Sequence, residues 1–100
     1  MPRYSAKTDT NQAAIVKALR SLPGVTVAVN HDDILVGYQG RTYWYEIKNP
    51  DAVSKKTGKV RESEKKKSQK DLEDTWTGHY KIVSSYDELI KDITALWWLW

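Results

Sequence analysis

Three observations predict an α/β domain with one mixed sheet flanked by helices. Short runs of alternating β-branched and aromatic residues interleave with stretches of helical periodicity. Turn signals at Pro23-Gly24, Gln39-Gly40, Asn49-Pro50 and Thr77-Gly78 separate them. The resulting order is α-β-β-β-α-β-α, an α/β or α+β sandwich with a mixed sheet. One hundred residues without internal repeats suit one domain, expected over 9–100, with 1–8 as a loose polar tail.

The elements follow in chain order. Asp9 with Gln12 three residues on reads as a capping box, and Ala14, Ile15, Ala18, Leu19 and Leu22 make one apolar stripe. After Pro23-Gly24, Val25, Val27 and Val29 alternate with smaller residues as a strand does, and Asn30-His31-Asp32 turns the chain. Asp33 to Lys48 reads as a hairpin about Gln39-Gly40. Asp51 to Lys59 is small, polar and basic, and is expected to be a flexible loop. A charged helix begins between Arg61 and Ser63 and runs to about Thr75, with Gln69, Leu72 and Trp76 on its inner face. Tyr80 to Val83 is a short strand, and Ser85 with Glu88 caps a last helix. That helix carries Leu89, Ile90, Ile93, Leu96, Trp97 and Trp100 on one stripe.

Composition excludes whole classes. There is no cysteine, so disulfides, thiolate zinc sites and cysteine nucleophiles are out, and a reducing compartment is the expectation. Neither a signal peptide nor an apolar run of the roughly 20 residues a membrane span needs is visible. A soluble, cytoplasmic protein is expected. Net charge is +3, and its placement matters more than its size. Lys55, Lys56, Lys59, Arg61, Lys65, Lys66, Lys67 and Lys70 gather eight of the sixteen basic residues into one stretch holding two of the thirteen acidic ones. The rest of the chain is slightly acidic. One basic patch on such a body suits a polyanion such as nucleic acid, although a lysine run is ordinarily just a solvated face.

The hairpin concentrates the chemistry. Alternation puts Thr42, Trp44, Glu46 and Lys48 on one face of the second strand, and Tyr43, Tyr45 and Ile47 on the other as core. A two-residue turn at Gln39-Gly40 pairs residues whose numbers sum to 79, which sets Asp33 opposite Glu46. Opposed side chains have Cβ atoms about 4.5–5.5 Å apart, and like charges so placed destabilise a sheet. A shared proton, solvent or a bound cation must offset the repulsion. A bulge at Gly40 would shift the pairing by one and leave Asp33 diagonal to Glu46. The bland alternative is a surface ion network on a hairpin. Trp44 lies on the charged face, where it either stacks on a base or packs under the first helix; His31 and His79 read as turn residues.

Taken in order, Asn11-Gln12 opening the first helix, Asp33-Ile34-Leu35-Val36-Gly37-Tyr38, Gln39-Gly40-Arg41, Glu46-Ile47-Lys48 and Gln69 resemble the PD-(D/E)XK nuclease superfamily, and within it the small stand-alone VRR-NUC proteins of bacteriophages. The likeness runs from about Asp9 to Ile93. It departs in two places: Asp32 stands where the family usually has proline, and neutral Asn11 or Gln12 where many relatives have a first-helix glutamate. The resemblance implies a restriction-endonuclease-like core with an added C-terminal helix, and a DNA endonuclease dependent on Mg²⁺ or Mn²⁺. Branched or Holliday-junction-like DNA in phage replication, recombination or repair is the expected substrate, in the host cytoplasm. Asp33 and Glu46 would be metal ligands, with the Ile47 backbone carbonyl as a third and Gln12 as a candidate fourth. Lys48 would position the attacking water and stabilise charge. Gln69 would orient water, Lys48 or phosphate, and the 55–70 patch would grip DNA backbone.

The terminus Trp97-Trp98-Leu99-Trp100 is too apolar for a small monomer to hide easily, so a homodimer through that helix is expected. The same pairing is implied by the resemblance. Two other functions compete: a non-catalytic nucleic-acid-binding module on the same fold, and an interaction protein whose Trp-rich end docks a partner.

Overall fold

The computed structural model describes residues 11–30 and 33–97, the last two by backbone alone. The expected tail, the Asp9 cap, the His31-Asp32 turn and most of the Trp-rich terminus therefore lie outside the described residues. Seven principal elements follow the expected order: α1 (Gln12–Arg20), β1 (Val25–Asn30), β2 (Asp33–Tyr38), β3 (Arg41–Ile47), α2 (Lys67–Thr75), β4 (Tyr80–Val83) and α3 (Tyr86–Trp97). The strands form one four-stranded sheet in the order β1-β2-β3-β4. The first three are antiparallel, and β4 runs parallel to β3, so the sheet is mixed and α2 belongs to the crossover between them. No helix among the described residues is long and apolar enough to cross a membrane.

Alternation in β3 divides the molecule into two faces. Tyr43, Tyr45 and Ile47 point into a core with Ile34 and Val36 of β2, Val83 of β4, Ile15, Val16 and Leu19 of α1, and Leu89 and Ile93 of α3. Each of the two buried tyrosines covers roughly 150–250 Å², worth about 4–6 kcal/mol at 25 cal/mol per Å². The opposite face carries Asp33, Trp44, Glu46, Tyr80 and Ile82, and a second cluster of Ala52, Val60 and Ile82 covers part of it. The α1 stripe differs by one position from the expected one. Ala14 is exposed, and Gln12, Ile15, Val16 and Leu19 form the buried line.

Two stretches depart from expectation. The stretch after Asn49 is folded: Pro50–Ala52 makes a 3₁₀ turn, Val53 bridges Val60, and Ala52 and Val60 are buried. The charged helix is interrupted. A 3₁₀ turn spans Glu62–Glu64, Lys65 adopts an extended conformation, and α2 starts only at Lys67. Lys65 is drawn in at that break, with its Nζ 2.8 Å from Glu62 and 3.1 Å from Glu73.

His79 does more than turn the chain. Its Nε2 donates to Asp92 Oδ2 at 2.7 Å, and the Tyr45 hydroxyl donates to the same oxygen at 2.7 Å, tying the start of β4 and the core of β3 to α3. Burial pushes the Asp92 carboxyl up, but the hydrogen bonds from His79 and Tyr45 outweigh it and hold the group below its ordinary value of 3.8. The phenol of Tyr45 is pushed up, by burial first and by its bond to Asp92 second.

The turn and the buried cluster each have a measurable consequence. Gln39 (φ 51°) and Gly40 (φ 78°) are both left-handed, as a type I′ turn requires. Asparagine tolerates that region better than glutamine, so Gln39→Asn raises the unfolding free energy by about 0.5–1 kcal/mol, measured by urea denaturation. Asp92→Asn lowers it by about 1–3 kcal/mol at neutral pH, through loss of charged hydrogen bonds. A depressed carboxylate contributes stability above its unfolded value and loses it as pH falls through the folded one. The gap between wild type and Asp92→Asn therefore closes below about pH 4, as seen in melts run from pH 7 to pH 2.

Candidate functional site

The Gln39-Gly40 turn sets the register, and the register brings the two carboxylates together. Asp33 is the direct partner of Glu46, Leu35 of Trp44 and Tyr38 of Arg41, with no bulge. Opposed residues share a face, so both carboxylates project from the side of the sheet away from the tyrosine core. Glu46 is only 4% exposed and Asp33 half-buried. Burial strengthens the repulsion between two ionised groups at this spacing and favours any cation placed between them.

Lys48 and Ile47 complete the strand end. The Lys48 N–H donates to Val83 O at 2.8 Å, so the parallel ladder continues one residue past β3 and keeps Lys48 on the Glu46 face. The same bond shows that Lys48 turns its backbone groups toward β4. Successive residues alternate in this respect, so Ile47 turns its carbonyl toward the β2 side, where Asp33 begins the strand. The register thus brings two carboxylates and a backbone carbonyl to one corner of the sheet, with Lys48 next on the same strand face.

Trp44 is part of this corner. It packs edge-on against Trp76 (centroids 5.2 Å) and Tyr80 (4.9 Å), and its Nε1 donates to Asp33 Oδ2 at 2.9 Å. It does not pack under α1, because α1 covers the other face. The signal was present in the strand pattern: Trp44 is the diagonal neighbour of Asp33, within reach of a long side chain.

Gln69 is buried, 6% exposed, as its position on the inner face of α2 requires. Its Oε1 accepts the Lys66 backbone N–H at 2.9 Å and so caps the helix. Any role toward water or phosphate falls to its amide Nε2. Gln12 is also buried, but the cavity it lines contains α1 residues and Val29 and neither carboxylate. Its neighbour Asn11 has a role that the sequence did not reveal. The Asn11 Nδ2 donates to Lys48 O (3.2 Å) and Ser84 O (2.7 Å), clamping the ends of β3 and β4 beside the acidic corner.

The basic stretch is less uniform than its composition suggests. Lys65 is 11% exposed and paired with Glu62 and Glu73, and Lys67 pairs with Asp71 at 2.9 Å. The Lys65 hydrogen bond in turn holds Glu62 below the usual carboxylate range. Arg61 donates to the carbonyls of Val53 and Asp51, which staples the 50–60 segment. Lys55, Lys56, Lys59 and Lys66 are exposed, and Lys70 is half-buried on α2.

Among the described residues, no three or more His, Cys, Asp or Glu side chains group as a metal cluster. The donor set offered is two carboxylates and one carbonyl, all hard oxygens. Such a set fits Mg²⁺ or Mn²⁺, which is commonly held by one or two carboxylates and keeps several waters. It contains no imidazole or thiolate, the ligands zinc most often takes. No protein-family model, no curated protein and no solved structure matches the chain.

Proposed function

We propose that the chain is a Mg²⁺- or Mn²⁺-dependent nuclease that hydrolyses phosphodiester bonds in DNA. The observation that carries this reading is the register pairing of Asp33 with the buried Glu46, with Lys48 two residues along on the same face. Two carboxylates opposed on one sheet face suit a divalent cation held between them. The ordered resemblance to the VRR-NUC branch of the PD-(D/E)XK nucleases supports it, as does the fit of the mixed sheet to a restriction-endonuclease-like core. The localised basic stretch supports a polyanionic substrate.

In this proposal Asp33, Glu46 and the Ile47 carbonyl hold the divalent ion, which supplies charge neutralisation at the phosphate and a more acidic water. Hydrolysis joins a water oxygen to phosphorus and breaks the bond to the leaving sugar oxygen. The water loses a proton to solvent and the leaving oxygen gains one. Lys48 is the cationic member of the set, on the same strand face as Glu46. Its part is therefore to hold the attacking water and steady the charge that develops on the phosphate oxygens. The Gln69 Nε2 orients the phosphate or that water. Lys55, Lys56, Lys59, Lys66 and Lys70 contact backbone phosphates without reading bases.

The test is direct. The full chain is incubated with plasmid and with branched DNA in Mn²⁺, Mg²⁺ or EDTA. Cutting is expected with either ion and none in EDTA. Glu46→Ala and Asp33→Ala abolish it, and Lys48→Ala lowers it by about 10²–10³-fold. Cutting that survives Glu46→Ala, or none by wild type on any DNA, overturns the proposal. DNA binding without cutting would favour a non-catalytic module. A second expectation concerns binding: replacing Lys55, Lys56 and Lys59 together flattens the slope of log affinity against log salt by up to about 2–3, at roughly 0.9 for each phosphate no longer neutralised.

A further inference from the structure

Asp33 presents a problem that its own position does not solve. It opens β2, directly after residues outside the described set, and a carboxylate on a strand end has rotamers to choose from. To share a cation with Glu46 it must hold one orientation. The neighbour that restricts it is Trp44, whose indole N–H donates to Asp33 Oδ2 at 2.9 Å.

We propose that Trp44 is a positioning residue, which fixes the Asp33 carboxylate through its indole N–H so that the other oxygen, Oδ1, meets the divalent cation. The inference rests on the metal-dependent reading above and adds a residue to it. Four observations carry it. The bond joins diagonal neighbours on one sheet face, so the register that pairs Asp33 with Glu46 also delivers Trp44. The ring cannot swing freely, being packed edge-on between Trp76 (interplanar angle 88°) and Tyr80 (76°). Trp76 is seated in turn on Gly78, where an added Cβ would stand 2.9 Å from its Nε1. Finally, an indole N–H is a neutral donor with no acceptor capacity. It orients the carboxylate without cancelling the negative charge the ion needs, which a lysine or arginine in that place would do. Outer hydrogen-bond partners of this kind commonly change metal affinity by about 10–100-fold when removed.

The test uses Trp44→Phe, which keeps an aromatic ring and removes the donor. Mn²⁺ binding to the full chain is measured by calorimetry and by the paramagnetic resonance of free Mn²⁺, with Asp33→Asn as the reference for loss. Near-ultraviolet circular dichroism checks that the variant is folded. The expected result is Mn²⁺ affinity weakened about 10–100-fold in Trp44→Phe, with duplex DNA binding in EDTA unchanged. A merely structural role would move both or neither. Should Trp44→Phe fail to fold, the indole resonance of Trp44 in the wild-type chain serves instead. It is expected to shift on Mg²⁺ titration and to lose that response in Asp33→Asn. Equal Mn²⁺ affinity in wild type and Trp44→Phe, or an indole resonance indifferent to Mg²⁺, overturns the role of Trp44 alone. A wild type that binds no Mn²⁺ overturns it together with the metal-dependent reading.

Discussion

Two carboxylates forced to face each other across a β-ladder are the constraint on which the rest of this molecule turns. Asp33 and Glu46 do not meet by chance of side-chain length. A two-residue turn with both residues left-handed fixes the pairing, and a slip of one would send every side chain of β3 to the wrong face. That slip would expose Tyr43 and Tyr45, which are almost fully buried, and bring Trp44 and Glu46 into the core. The apolar face thus enforces the polar one. Hydrophobic burial on one side of the sheet fixes the register that sets the two carboxylates opposite each other on the other.

What surrounds the acidic corner is built to keep it rigid. Asn11 clamps the ends of β3 and β4 from the start of α1, and Lys48 continues the ladder to Val83. On the open face, Trp44 is wedged between Trp76 and Tyr80, and the 50–60 segment folds over Ile82 through Ala52 and Val60. The His79–Asp92–Tyr45 cluster anchors α3 to β3 and β4 from the core side. Strand-borne groups held by packing on both faces keep their geometry better than loop-borne ones, which suits a proposed catalytic set.

Much of this was legible in the sequence because sheets have a period of two. Counting outward from Gln39-Gly40 placed Asp33 on Glu46, separated Tyr43, Tyr45 and Ile47 from Trp44, Glu46 and Lys48, and turned Gln69 inward by helical spacing. Contacts between distant segments were not legible. Asn11 reaches Lys48 and Ser84 across 37 and 73 residues, and nothing local announces a side chain that will cap two strand ends. The 50–60 segment looked loose because its lysines and glycine dominate its composition. Its fold depends on Ala52, Val60 and one bridge between Val53 and Val60. The break before α2 was hidden likewise: Lys65 leaves helical geometry to meet Glu62 and Glu73, an interaction that spacing along an unbroken helix does not suggest.

On the proposed reading, the facing carboxylates are a cost to the bare fold that a divalent ion reverses. Melting temperature measures this most directly, for wild type, Asp33→Asn and Glu46→Gln, each in EDTA and in saturating Mn²⁺. In EDTA both variants should melt above wild type, because one of two repelling charges is gone. In Mn²⁺ only wild type should gain substantially, through ligand linkage, and it should overtake both. The same order of stability in the two conditions would contradict the account.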